Sequence, residues 1–203
     1  MSLKLYNKPE CPFCWKVRLV AAFKGLALEL QDIDTQHKPD CFLALNPAGT
    51  VPVLDDSGEI VCGSEEIVRH LSAVAPIDRN LDLESNAAWE WHDYSNSVLG
   101  DGTKQWVFQH RDGSPDDLDE ALMARCESNW LASLAFVESK IDEGGWLAGP
   151  QPSLADCAVF PRLALGLRYG LPRLDTYPSL RVWYESLARS KVGLRASAWV
   201  TPK

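Results

Sequence analysis

The chain has 203 residues, of which 46% are hydrophobic and 24% are charged, and its formal net charge is −8 at pH 7. This length allows one large domain or two small ones, each with its own core. The acidic balance predicts no basic face for nucleic acid or for an anionic membrane surface. The sequence contains no apolar run of signal-peptide or transmembrane length, and six cysteines outside a small secreted framework favour a reducing compartment. We therefore expect a cytoplasmic protein without membrane association.

The first part of the chain, residues 1–76, predicts an α/β domain with a mixed sheet. A strand over 3–7 precedes an apolar helix over 14–24, and a further apolar run over 28–33 would lie parallel to that strand after a helical crossover. The remaining predicted elements are a short helix within 36–45, a strand over 50–54, a strand over 59–62 and a helix over 64–75 with Ser64 as its N-cap. The predicted order is β-α-β-β-β-α, and the proline in Val51-Pro52 indicates an edge position, a bend or a cis bond.

A linker is predicted over 77–83, and beyond it the periodicity is helical, so residues 84–203 predict an all-α bundle. The predicted helices are an aromatic-rich one over 86–109, interrupted near Gly100-Asp101-Gly102, a long one over 118–141, one from Ser153 towards Gly170 and a last one over 178–189. Ser153-Leu154-Ala155-Asp156 has the form of a capping box, with Asp156 in place of the usual glutamate.

The strongest chemical signal is Cys11-Pro12-Phe13-Cys14, between the first strand and the first helix. A cysteine that caps a helix N-terminus meets backbone N–H groups and the positive end of the dipole, which favour its thiolate. Pro12 suits the first helical turn. Cys14 lies a turn deeper, where it either resolves a mixed disulfide formed on Cys11 or fills the core as a small side chain. Arg18 either pairs with an acid of the fold or tunes Cys11.

Zinc binding and a structural disulfide are the alternatives to redox chemistry at this motif. Tetrahedral zinc requires a second close pair of ligands, but the remaining cysteines are isolated in the sequence. They are Cys41, Cys62, Cys126 and Cys157. A disulfide that closes so short a loop beside an exposed helix start is usually labile. The strand–CxxC–helix context therefore favours a thioredoxin-type redox motif, and we expect no metal.

Four stretches, in this order and at these separations, carry a family resemblance. They are CPFCWKVR at 11–18, KPD at 38–40, NPAGTVPVL at 46–54 and SLAD at 153–156. With them the chain resembles the cytosolic glutathione transferase superfamily, and within it the cysteine-type branch that includes the omega class. The resemblance implies a thioredoxin-like domain followed by an all-helical one, glutathione as cosubstrate, and a homodimer.

The resemblance also implies roles for individual residues. Cys11 would form a mixed disulfide with glutathione. Val51, ahead of a cis Pro52, would pair through its backbone with the cysteinyl part of the tripeptide. Lys38 would meet the glycyl carboxylate, and Ser64 would receive the γ-glutamyl carboxylate. A helix N-terminus is independently a favourable place for an anion.

Gly63 departs from the family pattern, because many relatives have Glu or Asp directly before the serine. The stretch GSEEI at 63–67 resembles instead the Gly-x-Asp-Asp-Leu stretch of glutaredoxins. By that resemblance Glu65 would accept the γ-glutamyl ammonium. This departure, together with the two cysteines of the motif, favours glutaredoxin-like disulfide exchange over conjugation.

The function that these observations imply is that of a glutathione-dependent thiol–disulfide oxidoreductase or thiol transferase. Its second substrate would be a small-molecule or protein disulfide, a glutathionylated protein or dehydroascorbate. The alternatives are a transferase that conjugates or dehalogenates electrophiles, which a cysteine at position 11 disfavours because it holds glutathione covalently, and a regulatory binding protein without catalysis. Trp91 and Tyr94 either pack in the helical domain or face the second substrate.

Overall fold

The structure, a computed structural model, describes residues 2–74, 81–113, 118–141 and 145–197. The chain divides into two units, one formed by residues 1–83 with 190–203 and the other by residues 84–189. In chain order the elements are β1 Leu3–Asn7, α1 Pro12–Phe23, β2 Leu28–Asp32, α2 Asp40–Leu45, β3 Val53–Asp56, β4 Glu59–Cys62, α3 Ser64–Val74, α4 Asn86–Asn96, α5 Val98–Asp112, α6 Glu120–Glu138, α7 Leu154–Arg168, α8 Pro178–Arg189 and α9 Lys191–Ala196.

The strands of the first unit form one mixed sheet in the order β2-β1-β3-β4. β1 pairs in parallel with β2 and antiparallel with β3, and β3 and β4 form an antiparallel hairpin. Tyr6, Ile33, Phe42 and Val53 form an apolar cluster that packs α2 against the sheet. α1 and α3 contact each other. These features confirm the predicted thioredoxin-like domain with a mixed sheet.

Three elements of this unit have bounds that differ from the sequence prediction by two residues or more. α1 begins at Pro12, because Cys11 is its cap, instead of at residue 14. The strand predicted over 50–54 covers Val53–Asp56, and the Val51-Pro52 bond, which is cis, precedes it. The short helix predicted within 36–45 is confined to Asp40–Leu45.

The last helix groups differently from the prediction of a helical domain over 84–203. α9 packs against α1 and belongs with the first unit. Ala196, at the end of α9, is only 1% exposed, and Arg195 donates a hydrogen bond to the carbonyl of Leu26 at 2.9 Å. Apolar contact and hydrogen bonding to α1 and the turn after it therefore hold the last helix there. Most of the predicted linker over 77–83 lies outside the described residues.

In the second unit α7 is the most deeply buried helix, with every residue from Leu154 to Gly166 buried. It contacts both α4 and α5, and a helix that is buried all round needs apolar residues all round. The predicted capping box is present, since Ser153 and Asp156 exchange side-chain-to-backbone hydrogen bonds at its N-terminus. This unit confirms the predicted helical architecture.

The predicted interruption near Gly100-Asp101-Gly102 is wrong in position, because the helix breaks at Ser97 instead. Gly100 lies inside α5 for a packing reason. A Cβ atom at Gly100 would lie 2.9 Å from the carbonyl oxygen of Ser95 and 3.2 Å from the guanidinium carbon of Arg162. Glycine here allows the close approach of a buried arginine and does not end the helix.

Candidate active site

Three segments meet at one end of the sheet of the first unit. Tyr6 of β1 pairs with Val53 of β3, and Val53 pairs with Cys62 of β4. The loop after β1, the segment before β3 and the segment after β4 therefore lie side by side. The N–H of Gly63 donates to the carbonyl of Pro52 at 3.2 Å, which joins the last two segments directly. The sheet thus brings the cysteine motif, the cis-proline and the start of α3 together.

Cys11 is the N-cap residue of α1, as the sequence predicts, and its side chain is half-buried. Its backbone is extended, with φ −94° and ψ 118°, and its carbonyl accepts the N–H of Trp15 at 2.9 Å. The N–H of Cys11 donates to the carbonyl of Lys8 at 3.1 Å, which closes the turn after β1. Pro12 occupies the first helical turn, where its missing N–H costs no hydrogen bond. The sulfur therefore lies at the positive end of α1.

Cys14 lies behind Cys11 and is fully buried, with 0% of its surface exposed. Its sulfur accepts the backbone N–H of Lys8 at 3.4 Å and is hydrogen-bonded to the Cys11 side chain. Burial raises the pKa of the Cys14 thiol well above its usual value, and the hydrogen bond and charge of Cys11 raise it further. At neutral pH Cys14 is therefore a thiol and serves as the donor in the sulfur pair.

Arg18 lies one turn deeper in α1 than Cys14 and is only 4% exposed. Its Nη1 donates to the side-chain oxygen of Asn7, and its Nη2 donates to the carbonyl of Pro9 at 3.0 Å. Its Nε donates to the carbonyl of Ala196 at 3.0 Å. Asn7 in turn donates to the carboxylate of Asp32 at 2.6 Å. The guanidinium thus contacts the loop before the cysteines and the end of α9.

Val51 carries backbone groups that the described residues leave open. Its peptide bond to the buried Pro52 is cis. Within the described ranges, neither its N–H nor its carbonyl takes part in a hydrogen bond. Lys38 lies close by, since a Cβ atom built on Gly49 would be 3.0 Å from Lys38 Nζ. The Val51 backbone, which has an N–H and a carbonyl available for a ligand, and the exposed ammonium group of Lys38 therefore both belong to the region around residues 49–51.

The start of α3 differs from its prediction in one respect. Ser64 is the first helical residue instead of the N-cap, because the carbonyl of Gly63 accepts the N–H of Ile67 at 3.0 Å. Gly63 has φ +90°, a conformation that L-residues rarely adopt. Glu65 is exposed and pairs with Arg69 one turn later, at 2.9 Å. The predicted ammonium acceptor thus already has a cationic partner.

Other chemistry that the sequence raised has little support among the described residues. That part of the chain contains no group of three or more His, Cys, Asp or Glu side chains that could hold a metal ion. It also contains no helix of the length and apolarity needed to cross a membrane.

In the second unit Trp91 and Tyr94 pack on each other and on Phe136, with ring centroids 4.8–5.6 Å apart. These contacts fit the packing role that the sequence allowed for both residues.

Two sequence profiles match the chain. The glutathione S-transferase N-terminal domain matches residues 5–78, and the glutathione S-transferase C-terminal domain matches residues 109–191. This chain belongs to the glutathione transferase superfamily. Maleylacetoacetate isomerase of Pseudomonas aeruginosa is 27% identical over 197 residues, which cover 88% of this chain and 88% of that protein. Glutathione S-transferase omega-1 of Mus musculus is 27% identical over 203 residues, which cover 94% of this chain and 78% of that protein.

A solved structure has the same fold. The glutathione S-transferase from Rhodospirillum rubrum F11 superimposes with a TM-score of 0.86 at 22% identity, covering 96% of this chain and 91% of its own. The likeness in fold therefore extends over 96% of this chain.

Sequence reasoning missed the polar residues that support the thiol pair of this glutathione transferase. Asn7 and Asp32 each end a strand, and they join Arg18 to the edge of the sheet. An asparagine at the end of the strand that leads into the cysteine motif was the available signal, because a polar side chain buried there needs a partner. Sequence reasoning also missed that the Lys38 side chain lies against Gly49. The stretch NPAGTVPVL at 46–54 gave no indication of that contact.

Proposed function

We propose that this glutathione transferase is a thiol transferase, which reduces disulfides or deglutathionylates substrates through a mixed disulfide on Cys11. The observation that carries the proposal is the sulfur pair. Cys11, which is half-buried, is the N-cap residue of α1, and the buried thiol of Cys14 is hydrogen-bonded to its side chain. Helix N-termini favour thiolates, and a donated hydrogen bond favours the charged form further. Cys11 is thus suited to be the nucleophile.

The reaction begins when the Cys11 thiolate attacks one sulfur of a glutathionylated substrate. A sulfur–sulfur bond to glutathione forms on Cys11, the substrate's own bond to glutathione breaks, and the substrate leaves as a thiolate. A second glutathione thiolate then attacks the Cys11 mixed disulfide. Oxidised glutathione leaves, and the Cys11 thiolate is restored. The two electrons that reduce the substrate come from glutathione.

In this scheme Cys14 acts as a hydrogen-bond donor to Cys11, and glutathione resolves the mixed disulfide. Attack by Cys14 would require its thiolate, and burial raises the pKa of that thiol. Burial, the largest cause of the shift, persists after Cys11 has lost its charge to a mixed disulfide. Resolution by Cys14, which would leave an internal disulfide, is the competing route that the experiment below distinguishes.

Glutathione itself would lie across the three segments at the end of the sheet. The open backbone of Val51, beside Pro52, would pair with the cysteinyl residue. The N-terminus of α3 at Ser64 would receive the γ-glutamyl carboxylate, and Glu65 would accept the ammonium group. Lys38 would bind the glycyl carboxylate.

The test is the intact mass of the protein after incubation with oxidised glutathione. Cys41 and Cys62 are exposed, so the parent for this experiment carries Cys41→Ser and Cys62→Ser. We expect one glutathione adduct on this parent and on its Cys14→Ser variant, and none on Cys11→Ser. An adduct that accumulates only with Cys14→Ser, with an internal disulfide in the parent, would assign resolution to Cys14. If neither an adduct nor an internal disulfide forms, the exchange mechanism is refuted.

The relative named as an isomerase supports a second candidate, in which glutathione adds to an electrophile such as an activated double bond. That relative is aligned over 88% of this chain. Glutathione, and not Cys11, would then be the nucleophile. Activity of Cys11→Ser separates the two candidates, because loss of Cys11 abolishes disulfide exchange but leaves addition of glutathione possible. The omega-like class, the homodimer and the cytoplasmic location stay predictions.

A further inference from the structure

Arg18 is a buried cation with no direct part in the exchange reaction. Removing a guanidinium from water is costly unless hydrogen bonds and nearby negative charge offset the loss of hydration. Burial lowers the pKa of Arg18, while the charges of Cys14, Cys11 and Asp32 raise it. Because Cys14 is a thiol at neutral pH, the Cys11 thiolate is the member of the pair whose negative charge acts on the buried cation, together with the carboxylate of Asp32 at the end of β2.

The hydrogen bonds of Arg18 hold the loop that leads into the cysteine motif. Two of its acceptors, Asn7 and Pro9, flank Lys8 in the sequence. The backbone of Lys8 contacts both cysteines, since its N–H donates to the Cys14 sulfur and its carbonyl accepts the N–H of Cys11. Arg18 therefore fixes the loop on both sides of the residue that positions the two sulfur atoms.

The third acceptor of Arg18 lies far away in the sequence. The carbonyl of Ala196, at the end of α9, accepts from Arg18 Nε at 3.0 Å. The planar guanidinium directs donors on three different nitrogens to three separate acceptors, whereas a lysine ammonium carries its three donors on one nitrogen and reaches separated acceptors less well. One side chain thus joins the loop before the cysteines to the last described helix of the chain.

We propose that Arg18 is a positioning residue for the thiol pair, which holds the loop over residues 7–11 in place and couples it to α9. This inference rests on the proposed function, because it concerns the nucleophile of that reaction. It predicts that loss of the guanidinium disfavours the Cys11 thiolate, and that a displaced α9 has the same effect to a smaller degree.

The experiment measures the rate at which iodoacetamide alkylates Cys11 as a function of pH, in the protein with Cys41→Ser and Cys62→Ser. Loss of an opposite charge near an acid typically raises its pKa by about 1–3 units. For Arg18→Met we therefore expect the midpoint of the profile to rise by about one unit or more, which slows alkylation about tenfold below the midpoint. Arg18→Lys, which keeps the charge, should give a smaller rise.

Arg173→Met is the matched control for net charge. Arg173 is an exposed arginine of the second unit, lies 3.9 Å from Asp175 and takes no part in the described contacts of the cysteine loop or of α9. Its profile should coincide with that of the parent. A profile of Arg18→Met that also coincides with the parent would overturn the proposal. If Arg18→Met does not fold, as judged by circular dichroism, Arg18→Lys decides, and an unchanged profile for that variant has the same meaning.

The coupling to α9 is tested by Ala196→Leu, because the 1% exposure of Ala196 leaves no room for a larger side chain. We expect an upward shift of the profile that is smaller than that of Arg18→Met. The control is Leu194→Ala on the same helix, where the side chain is 64% exposed. An unchanged profile for Ala196→Leu would overturn the coupling. Alkylation requires no glutathione, so a parent that is alkylated normally but forms neither a glutathione adduct nor an internal disulfide refutes the proposed function and leaves this inference standing.

Discussion

Replacing Asp156 by alanine should destabilise the helical unit more than any single surface change. Its carboxylate is fully buried and joins three segments. Oδ1 accepts the N–H of Leu147 at 3.2 Å and the indole N–H of Trp183 at 2.7 Å. Oδ2 accepts the N–H of Ser153 at 2.8 Å and its hydroxyl at 3.1 Å. Asp156→Ala leaves these donors without their acceptor, whereas Asp156→Asn keeps the shape and replaces one oxygen by a donor.

The magnitude follows from the number of donors that lose their acceptor. A buried donor left unsatisfied costs about 1–3 kcal/mol, and Asp156→Ala strands three N–H groups. The losses do not add fully, because water enters the cavity and the cost of burying the carboxylate disappears. We therefore expect the free energy of unfolding to fall by about 3–5 kcal/mol, towards the lower end of what three such donors would cost together. Asp156→Asn should cost about 1–3 kcal/mol.

Urea unfolding followed by far-UV circular dichroism measures these differences. For a chain of this size, a loss of 1 kcal/mol lowers the melting temperature by about 2–4 °C, so a thermal melt provides a second measurement. Asp175→Ala is the control, because that side chain is 70% exposed and lies 3.9 Å from Arg173. Its effect should stay within about 0.5 kcal/mol. A loss below about 1 kcal/mol for Asp156→Ala would refute the assignment of this carboxylate as a structural junction.

The same residue predicts a pH dependence of stability. Burial raises the pKa of Asp156 above its ordinary value of 3.8, and the hydrogen bonds from Trp183, Ser153 and Leu147 only partly oppose the shift. The folded chain therefore binds this proton more tightly than the unfolded chain does. The stability that Asp156 contributes is greatest below its unfolded pKa and declines as the pH rises through its folded pKa. The difference in unfolding free energy between the parent and Asp156→Asn should shrink over this window, and a difference that grows would contradict the sign.

Two further predictions concern glutathione binding and are measured by isothermal titration calorimetry. Gly49→Ala should weaken binding about as much as Lys38→Met does, because the new Cβ would lie 3.0 Å from Lys38 Nζ at a residue with φ +63°. Gly58→Ala is its control, because φ there is also positive, at +102°, but nothing lies within 4 Å of the new Cβ. An equal loss of glutathione affinity in the two glycine variants would contradict a role for the contact with Lys38. Glu65→Gln should raise the dissociation constant by up to about fivefold, as expected for an exposed charge pair of about 1 kcal/mol or less. Arg69→Ala frees that carboxylate from its ion pair and should leave binding equal or tighter, whereas weaker binding would assign Arg69 itself to the ligand.

The features that the sequence predicted best depend on neighbouring residues. The cap at Cys11 needs only extended backbone there and Pro12 after it, and the capping box at Ser153 needs only its own first turn. β4 and α8 have the predicted bounds for the same reason. Local rules act within a few residues, so a single sequence is sufficient to apply them.

The features that the sequence misplaced depend on distant contacts. Gly100 favours a break by its own propensity, but the guanidinium of Arg162, brought in by α7, makes it a packing residue inside α5. The sequence of α9 does not indicate which element it packs against. Its position against α1 is set by the burial of Ala196 and by a hydrogen bond from Arg18, which is distant in the sequence. Tertiary packing thus overrides propensity where two elements approach closely.

The two alternatives that the sequence allowed for Arg18 were an ion pair with an acid of the fold and tuning of the cysteine, and the contacts in the structure connect the two. Its link to Asp32 is indirect, because Asn7 lies between them and binds both. The direct contacts go to Asn7 and to carbonyl groups, which cannot neutralise a cation. Negative charge on Cys14, Cys11 and Asp32 raises the pKa of Arg18 against the effect of burial, and because Cys14 is a thiol at neutral pH, Cys11 is the sulfur that supplies such charge. The buried guanidinium therefore favours the thiolate form of Cys11, so the same group that orders the loop also favours the charge on which disulfide exchange depends.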